Sequence, residues 1–441
     1  MIQLSDHFTY EKLLRYTFPS IVMLVVTSIY GVVDGLFVSN FVGKTSLAAV
    51  NLIWPYLMIL GSIGFLFGTG GSALIAKTLG EGDRVRANRI FSLIVYVSLG
   101  CGVALMLLGM VTCRSVSEML GAEGQLLEDC IVYGWLYLIS LPAVVLQYEF
   151  QCLCATAEKP KLGLYVTVAA GVTNIVLDAL FVGLWGWGVG GAALASSVSQ
   201  SVGGFFPLVY FARKNTSLLR LTRTHWDGRA MLRCCTNGSS ELLNNVSMSL
   251  VGMLYNFQLM RYVGEDGVAA YSVLLYVSFI FLAIFLGYAV GVAPVVSFHY
   301  GAGNKQELHS LLYKSLRIIG VGSVLMFAAG ELLAGPLSRL FVGYDPGLFA
   351  LTVRGFRLYS FSFLFVGMAI FGPAFFTALN NGFVSAEISF LRTLVFEITS
   401  VMLLPLLLDV DGIWLSVVGA ECMATVVSVY FLVRKQKHYG Y

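Results

Sequence analysis

Long apolar stretches joined by short polar connections run through the whole sequence. A run of about 20 apolar residues is long enough to cross a bilayer as a helix, which satisfies its own backbone hydrogen bonds there. Twelve such runs are present, centred near Thr27, Ser62, Leu99, Ser140, Ala170, Ser201, Ser249, Ala283, Gly322, Ser362, Phe396 and Met423. The pattern predicts an all-α membrane protein with twelve transmembrane helices.

The predicted helices divide into two sets of six. The longest polar connection covers residues 213–233, so we expect an N-terminal lobe at 1–212, a cytoplasmic connecting loop, and a C-terminal lobe at 234–441. The motifs VGKTSLAAV and VGEDGVAAY lie 221 residues apart (264 − 43 for their glycines). Because six is an even number, both sets enter the membrane with the same polarity. We therefore expect a pseudo-two-fold axis along the membrane normal, with the substrate route between the lobes.

Composition and charge support this topology. Of the 441 residues, 58% are hydrophobic and 12% are charged, whereas soluble domains carry about 25% charged residues. Lys and Arg accumulate on the cytoplasmic side of membrane proteins. Here 20 of the 27 lie at the N-terminus, in even-numbered connections or in the tail, and 6 lie in odd-numbered connections. We expect a multi-pass protein of the cytoplasmic (inner) membrane with both termini cytoplasmic, contact with anionic lipid, and no nucleic-acid partner.

The residues that enzymes and metal sites require are scattered. The five histidines do not cluster, and the adjacent Cys234 and Cys235 have no histidine at ligand spacing. The sequence GTGGSA from Gly68 is not followed by GK[ST] and lies within a span, so it predicts a close-packing helix face rather than a phosphate loop. We expect no catalytic residue, no metal and no cofactor, and an ion gradient as the energy source for transport.

Two carboxylates interrupt the apolar runs of the first half. Counted from the basic residue that precedes each span, Asp34 lies roughly 28 Å along the first span and Asp178 roughly 26 Å along the fifth. Asn174 lies one turn before Asp178 on the same face, and Ser196 of the sixth span reaches the same depth. Two neighbouring acids can share a proton or bind a small cation. Alternatively, Asp34 faces a water-filled cleft alone, or the amide and carboxylate of the fifth span make a structural hydrogen bond.

A second group of polar residues has a less certain role, either facing substrate or joining spans. Its members are Gln200, Glu241, Asn256, Arg392, Glu397 and Glu421. Arg392 and Glu421 lie at similar depths on neighbouring spans, which favours a structural ion pair. Glu241 and Glu397 could face substrate, although Glu241 could instead lie near the cytoplasmic interface. Glu149 is placed near a span end, from which its carboxylate can reach the interface.

With these residues in view, the chain resembles the multidrug and toxic compound extrusion (MATE) family. The resemblance covers nearly the whole length and includes Asp34 in the first span and AEKPK before the fifth. It is most specific in Asn174-x-x-x-Asp178 followed by GVGGAALASSVSQ. Gly412-Ile413-Trp414 and Glu421 also look like the family's final span. The resemblance implies a secondary antiporter that exports organic cations and other amphipathic compounds in exchange for H+ or Na+.

The resemblance also implies where the coupling ion binds. The branch similar to this chain has its cation site in the N-terminal lobe, on residues matching Asp34, Asn174, Asp178 and a threonine, where Ser196 keeps the hydroxyl. The branch with an acid deep in the seventh span is matched less well, because Glu241 lies near the start of that span.

The resemblance also suggests the class of transported compounds and one alternative function. We expect drug-like small molecules, a bilayer environment and a monomer. The alternative is a flippase of lipid-linked saccharides from the same superfamily, which would be expected to line its cleft with several basic groups. Only Arg392 lies clearly within a span, so the flippase ranks second.

Overall fold

The computed structural model describes residues 2–37, 41–343 and 345–441, and the regular elements of these ranges are helices. The first half contains α1 (Tyr10–Phe37), α2 (Lys44–Gly61), α3 (Ile63–Gly80), α4 (Arg84–Met119), α5 (Gly124–Ile139), α6 (Leu141–Thr156), α7 (Pro160–Asp178) and α8 (Gly188–Ala212). The second half contains α9 (Gly228–Tyr262), α10 (Glu265–Gly301), α11 (Lys305–Val342), α12 (Pro346–Ser360), α13 (Phe363–Ala378), α14 (Gly382–Phe390) and α15 (Glu397–Tyr439). Two π-helical segments, Ala179–Leu184 and Leu391–Phe396, follow α7 and α14.

The predicted architecture of twelve transmembrane helices in two lobes of six is confirmed. Eight stretches of the described chain are long and apolar enough to cross a membrane, or ten if α5 with α6 and α12 with α13 each form one bent span. The 35-residue helix α9 adds a more polar crossing. α15 supplies the other, because its backbone reverses at Asp409, where φ is 50°. The second part of α15 then returns along the first, and the Ser416 hydroxyl donates to the Ser400 carbonyl (3.0 Å).

Proline accompanies the bend in the fourth span. α5 and α6 meet at an angle of 58° around Ser140, and Pro142 occupies the first turn of α6. Proline has no N–H to continue the preceding helix, and its fixed φ suits the start of a new one. The fourth span is therefore bent next to this residue. Pro19, by contrast, lies inside the continuous helix α1.

The two lobes meet through helix backbones on the face that carries the N-terminus. A Cβ atom at Gly80 of α3 would collide with the Phe298 carbonyl oxygen of α10, and one at Gly301 would collide with the Lys77 carbonyl oxygen of α3. The 221-residue shift of the repeat relates these contacts to each other (301 − 80 and 298 − 77). Glycine permits this approach because it has no side chain. The internal sequence repeat therefore produces two equivalent contacts between the lobes, related by the two-fold axis.

The predicted close-packing face of α3 is also present. Gly68 lies against the backbone of Glu149 in α6, and a Cβ atom at Gly70 would collide with the Cys234 carbonyl oxygen in α9. One helix of the first lobe therefore contacts both its own lobe and the other through small residues.

The connection between the lobes is shorter than we predicted and is held in place. α8 ends at Ala212, and the Asp227 side chain caps α9 by accepting hydrogen bonds from two backbone N–H groups. The non-helical part therefore covers 213–227. Its backbone runs along α4, where the Arg220 N–H donates to Oδ1 of Asn88 (2.7 Å). A strap docked in this way limits the freedom of the connection between the lobes.

Candidate cation-coupling site

α1 and α7 pack together and carry the two acids of the first lobe. Asp34 lies in the last turns of α1, and Asp178 is the last residue of α7. Their side chains lie within interaction range of each other. Asp178 is completely buried. The structure thus brings together the two acids that the sequence placed at similar depths.

An amide and a hydroxyl complete the group around Asp34. Asn174 of α7 and Ser196 of α8 both face this carboxylate, and Nδ2 of Asn174 donates to Oγ of Ser196 at 3.5 Å. Gln200 lies one turn beyond Ser196 and is also buried. The four residues predicted to form a coupling site therefore lie together, with Asn174, Asp178 and Ser196 buried, Asp34 partly exposed, and the glutamine on the adjoining turn.

Several polar atoms here have no hydrogen-bond partner within the described part of the chain. They are Oδ1 of Asp34, both carboxylate oxygens of Asp178, Oδ1 of Asn174 and Oε1 of Gln200. Nor does either acid belong to an ion pair of the described residues. Buried polar groups are nearly always satisfied, and acids inside a membrane need a partner. The arrangement is therefore suited to taking up a proton or a small cation.

A change of helical geometry follows Asp178 directly. The backbone passes into the π-helical segment Ala179–Leu184, a rare geometry that is often found at functional sites. The chain then turns through Gly186 and Gly188, whose φ angles are 65° and 61°. An L side chain would be strained at both positions. This turn returns α8 alongside α7 and places Ser196 beside Asn174.

Two tyrosines belong to the same site and were missed by the sequence reasoning. Tyr133 of α5 is 1% exposed, and its side chain faces Asp34, Asp178 and Ser196. Tyr30 lies one turn before Asp34 on α1 and faces it. The spacing of four residues between Tyr30 and Asp34 was a usable signal, whereas Tyr133 is distant in sequence.

The second lobe contains an ion pair between two of its transmembrane spans. Arg392 and Glu421 form the predicted ion pair, with Nη2 2.7 Å from Oε1 and Nε 3.0 Å from Oε2. The side chains are 14% and 5% exposed. Arg392 lies in the π-helical segment Leu391–Phe396, and Glu421 lies on the returning part of α15. The pair therefore joins the eleventh and twelfth spans, as the depth argument predicted.

The remaining polar candidates of the second lobe differ in whether they face this ion pair. Glu397 faces Arg392 and Glu421, and Glu241 of α9 faces Arg392. Asn256 is exposed, while its neighbour Tyr255 is buried and faces Glu397. The structure thus brings three acids and one arginine together and leaves Asn256 outside the group.

Comparison with known proteins assigns the chain to a family. The MatE family profile matches residues 19–180 and 242–403, once in each half. The chain belongs to the MatE family. This agrees with the resemblance read from the motifs, and MatE proteins are transporters rather than enzymes.

Relatives and solved structures agree with the MatE assignment. The chain is 25% identical over 365 residues to Multidrug export protein MepA of Staphylococcus saprophyticus, covering 81% of each chain. It is 24% identical over 370 residues to the MepA of Staphylococcus haemolyticus, covering 81% of this chain and 80% of that protein. The outward-facing structure of a multidrug resistance MATE family transporter is similar with a TM-score of 0.93 and 23% identity, covering 98% and 97% of the two chains. At that identity the structural likeness shows the fold.

One acid of this MatE chain lies elsewhere than we predicted. Glu149 does not reach the membrane interface: it is 0% exposed and accepts a hydrogen bond from the Ser98 hydroxyl. The prediction was wrong because α6 is enclosed by α3, α4 and α8 along its whole length. Burial of this residue could not be read from its distance to the end of an apolar run.

Proposed function

We propose that this MatE protein is a secondary active antiporter that exports organic cations or amphipathic drugs in exchange for H+ or Na+. The coupling ion binds at Asp34 and Asp178, with Asn174 and Ser196 beside them. The protein lies in the cytoplasmic membrane with both termini in the cytoplasm.

The observation that carries this proposal is the acid pair, which has no counterion among the residues that the structure describes. Two carboxylates inside a membrane protein repel one another unless a proton or cation lies between them. Occupation of the pair from one side of the membrane and release on the other converts an ion gradient into work. The relatives are named multidrug export proteins, which supports drugs as the transported class.

The packing of the lobes supports alternating access. On the face that carries the N-terminus, Gly287 and Gly291 of α10 lie against the backbone of α1 at residues 17–21. Contact this close leaves no passage between the lobes on that face. Drug bound between the lobes would therefore leave through the opposite face in this conformation. Cation uptake at α1 and α7 is the step that shifts the balance between the two conformations.

The described part of the second lobe does not favour the flippase alternative. Its intramembrane Arg392 is already paired with Glu421, so it is not free to bind a phosphate. A saccharide carrier of that kind needs unpaired basic groups in its cleft.

The test is Asp34→Asn, which removes the charge and preserves the shape. We expect ion-driven ethidium transport into proteoliposomes to fall by about a hundredfold or more, corresponding to at least about 2.7 kcal/mol in the rate-limiting barrier. Initial rates under separately imposed proton and sodium gradients measure it.

Asp411→Asn provides a matched control, because Asp411 contacts the exposed Arg354 away from the acid pair. This control is expected to transport normally. Normal ion-driven transport by the Asp34→Asn protein would refute the assignment.

A further inference from the structure

A cavity of 420 Å³ lies between the two lobes on the face that carries the N-terminus. Its lining includes Lys77 near the end of α3, Arg233 and Thr236 near the start of α9, and residues 380–383 where the chain enters α14. α3 belongs to the first lobe, whereas α9 and α14 belong to the second. Both lobes therefore build this cavity.

The charged groups of the lining are positive. Among the described residues, no carboxylate lines the cavity, and Arg233 is exposed and takes part in no ion pair. Nζ of Lys77 lies over the ring of Tyr300 in the second lobe, 5.4 Å from its centroid. The same atom is 3.7 Å from Oε1 of Glu81, one turn further along α3. An ion pair at that distance and exposure contributes little, so the cavity is suited to an anion.

Hydrogen bonds that cross between the lobes fix the wall of the cavity. The Asn380 backbone has a φ of 55°, a conformation that asparagine adopts more readily than most residues. Its Nδ2 donates to the carbonyl oxygen of Ala73 in α3 (3.2 Å), and its Oδ1 accepts from Nδ2 of Asn237 (2.9 Å). Oδ1 of Asn237 accepts the N–H of Gly382 (3.0 Å). The wall is therefore preorganised while the lobes are together on this face.

The cavity adjoins a surface suited to lipid. Phe383, part of the lining, is 79% exposed, and Phe390 is 45% exposed. The two are seven residues apart and share one face of α14, so the face extends about 10 Å along the helix. On α9, the exposed Leu232 directly precedes Arg233. Large apolar side chains left exposed on a helix of a membrane protein lie against acyl chains, so the two cations are beside the bilayer.

The internal repeat provides a second place that is related to this one. The 221-residue shift relates His299 to Thr78, the neighbour of Lys77 (299 − 221 = 78). At His299 the chain covers the place itself, because residues 4–8 fold over it. The Phe8 ring is fully buried 6.5 Å from the His299 ring.

The corresponding segment of the second half is directed elsewhere. The same shift relates residues 4–8 to 225–229, which lead from the connecting strap into α9. This strap runs along α4, where the Thr224 hydroxyl donates to the carbonyl oxygen of Arg89 (3.0 Å). Of the two related places, the described chain therefore covers the one at His299 and leaves the one at Lys77 open.

An anionic phospholipid matches the chemistry of the open cavity. Lysine and arginine form charge-assisted hydrogen bonds with phosphate oxygens, and basic pockets between membrane helices on the cytoplasmic side bind anionic headgroups. The proposed topology places this face in the cytoplasm. A free phosphate would use the two cations but not the aromatic face of α14, whereas a phospholipid would use both.

We propose that this cavity binds the headgroup of an anionic phospholipid, with its phosphate between Lys77 and Arg233 and an acyl chain along Phe383 and Phe390. The bound lipid holds the two lobes together on this face. The site lies apart from the acid pair and does not depend on which ion drives transport.

The link to conformation follows from the position of the two cations on different lobes. If the lobes part on this face, Lys77 and Arg233 separate, and the phosphate loses one of its two contacts. A ligand that binds one conformation more tightly shifts the equilibrium towards it by the ratio of the two affinities. Anionic lipid therefore favours the conformation that is closed on the N-terminal face.

The first experiment measures binding of phosphatidylglycerol to the full-length protein by native mass spectrometry, with phosphatidylcholine as the neutral comparison. The double variant Lys77→Gln with Arg233→Gln is expected to weaken phosphatidylglycerol binding by about tenfold or more. Arg233→Lys keeps the charge and should stay within about threefold of the wild type. Wild-type affinity in the double variant would overturn the site.

Arg86→Gln with Arg89→Gln is the matched control, because it removes the same charge from another cavity on the same face. That cavity, of 330 Å³, is also lined by Asp83 and Asp227, so it is not selectively anion-binding. The control is expected to keep its phosphatidylglycerol affinity within about twofold. Equal loss in the test and control variants would mean that the lipid responds only to total charge, which would also overturn the site.

The second experiment follows hydrogen exchange in nanodiscs at residues 73–82 and 298–305, where α3 and α10 meet. Phosphatidylglycerol in place of phosphatidylcholine should slow exchange there by about threefold or more in the wild type. The Lys77→Gln, Arg233→Gln protein should show no such slowing. Equal exchange of the wild type in both lipids would contradict the role in holding the lobes together.

Inorganic phosphate distinguishes the two possible sources of the anion. Added to the protein in phosphatidylcholine nanodiscs, it is expected to leave hydrogen exchange unchanged. Protection by phosphate equal to that by phosphatidylglycerol would overturn the lipid assignment and identify a site for a soluble anion.

Discussion

The guanidinium of Arg392 and the carboxylate of Glu421 illustrate what a single charged side chain requires inside this bundle. Each is largely buried, and each finds its counterion on the neighbouring span. Asp34 and Asp178 have no such counterion within the described ranges. A charge that is permanently neutralised serves structure, whereas one left without a partner is available for an ion that comes and goes.

Removing one member of the ion pair is expected to be more harmful than removing both. Arg392→Met leaves Glu421 buried without its cation and should lower the free energy of unfolding by about 3–5 kcal/mol. The double variant Arg392→Met with Glu421→Leu should recover part of this loss, because the carboxylate that the arginine pairs with is removed as well, whereas Glu397 and Glu241 lose a neighbouring positive charge in both variants. Thermal unfolding of the purified proteins in detergent measures both. Equal loss in the single and double variants would contradict a purely structural pair.

Among the helices, α10 of the second lobe packs very closely against α1 of the first lobe. Gly287 lies where the backbone of α1 passes, so there is no room for a side chain. The close approach depends on glycine at that position, not on any particular neighbouring side chain. Helix propensity alone would favour alanine there by about 1 kcal/mol.

Gly287→Ala should therefore destabilise the protein despite its better helix propensity. The new methyl group would force α1 and α10 apart, and overpacking of this kind costs about 1–3 kcal/mol. Gly320→Ala in α11 is the matched control, because nothing lies within 4 Å of a Cβ atom there. The control should be neutral or slightly stabilising. Thermal unfolding of the two variants decides the matter, and equal midpoints would argue against the close contact.

The helices also show where hydropathy is informative and where it is not. Apolar runs predicted twelve spans, and proline chemistry accounts for the bend that the structure shows next to Pro142. A reversal between the eleventh and twelfth spans was expected, but the π-helical geometry after Asp178 and the positive φ of Asp409 were not predicted, because neither has a distinctive local sequence. Tertiary packing of the neighbouring spans selects those backbone conformations.

For the whole molecule, the distribution of charge and the interface between the lobes concern different properties. The charge bias, 20 basic residues against 6, bears on which face is cytoplasmic. The glycine contacts determine which face is closed in this conformation. Together they lead us to expect a cleft that is open away from the cytoplasm.

The orientation can be tested with reporter fusions. Alkaline phosphatase fused after residue 123, in the connection that follows α4, should be active because that connection is expected outside the cytoplasm. The same enzyme fused after residue 441 should be inactive, whereas green fluorescent protein there should fluoresce. The reverse pattern would contradict the assigned topology and leave the fold unaffected.

The sequence by itself determined the number of spans, the repeat, the family, and the residues Asp34, Asn174, Asp178 and Ser196, because each leaves a local or periodic signal. Only the tertiary structure decided that these four side chains meet, that Tyr133 joins them, and that Glu149 is buried. Those facts depend on which faces of separate helices turn towards each other. That choice is made by packing over the whole bundle, and a short stretch of sequence does not record it.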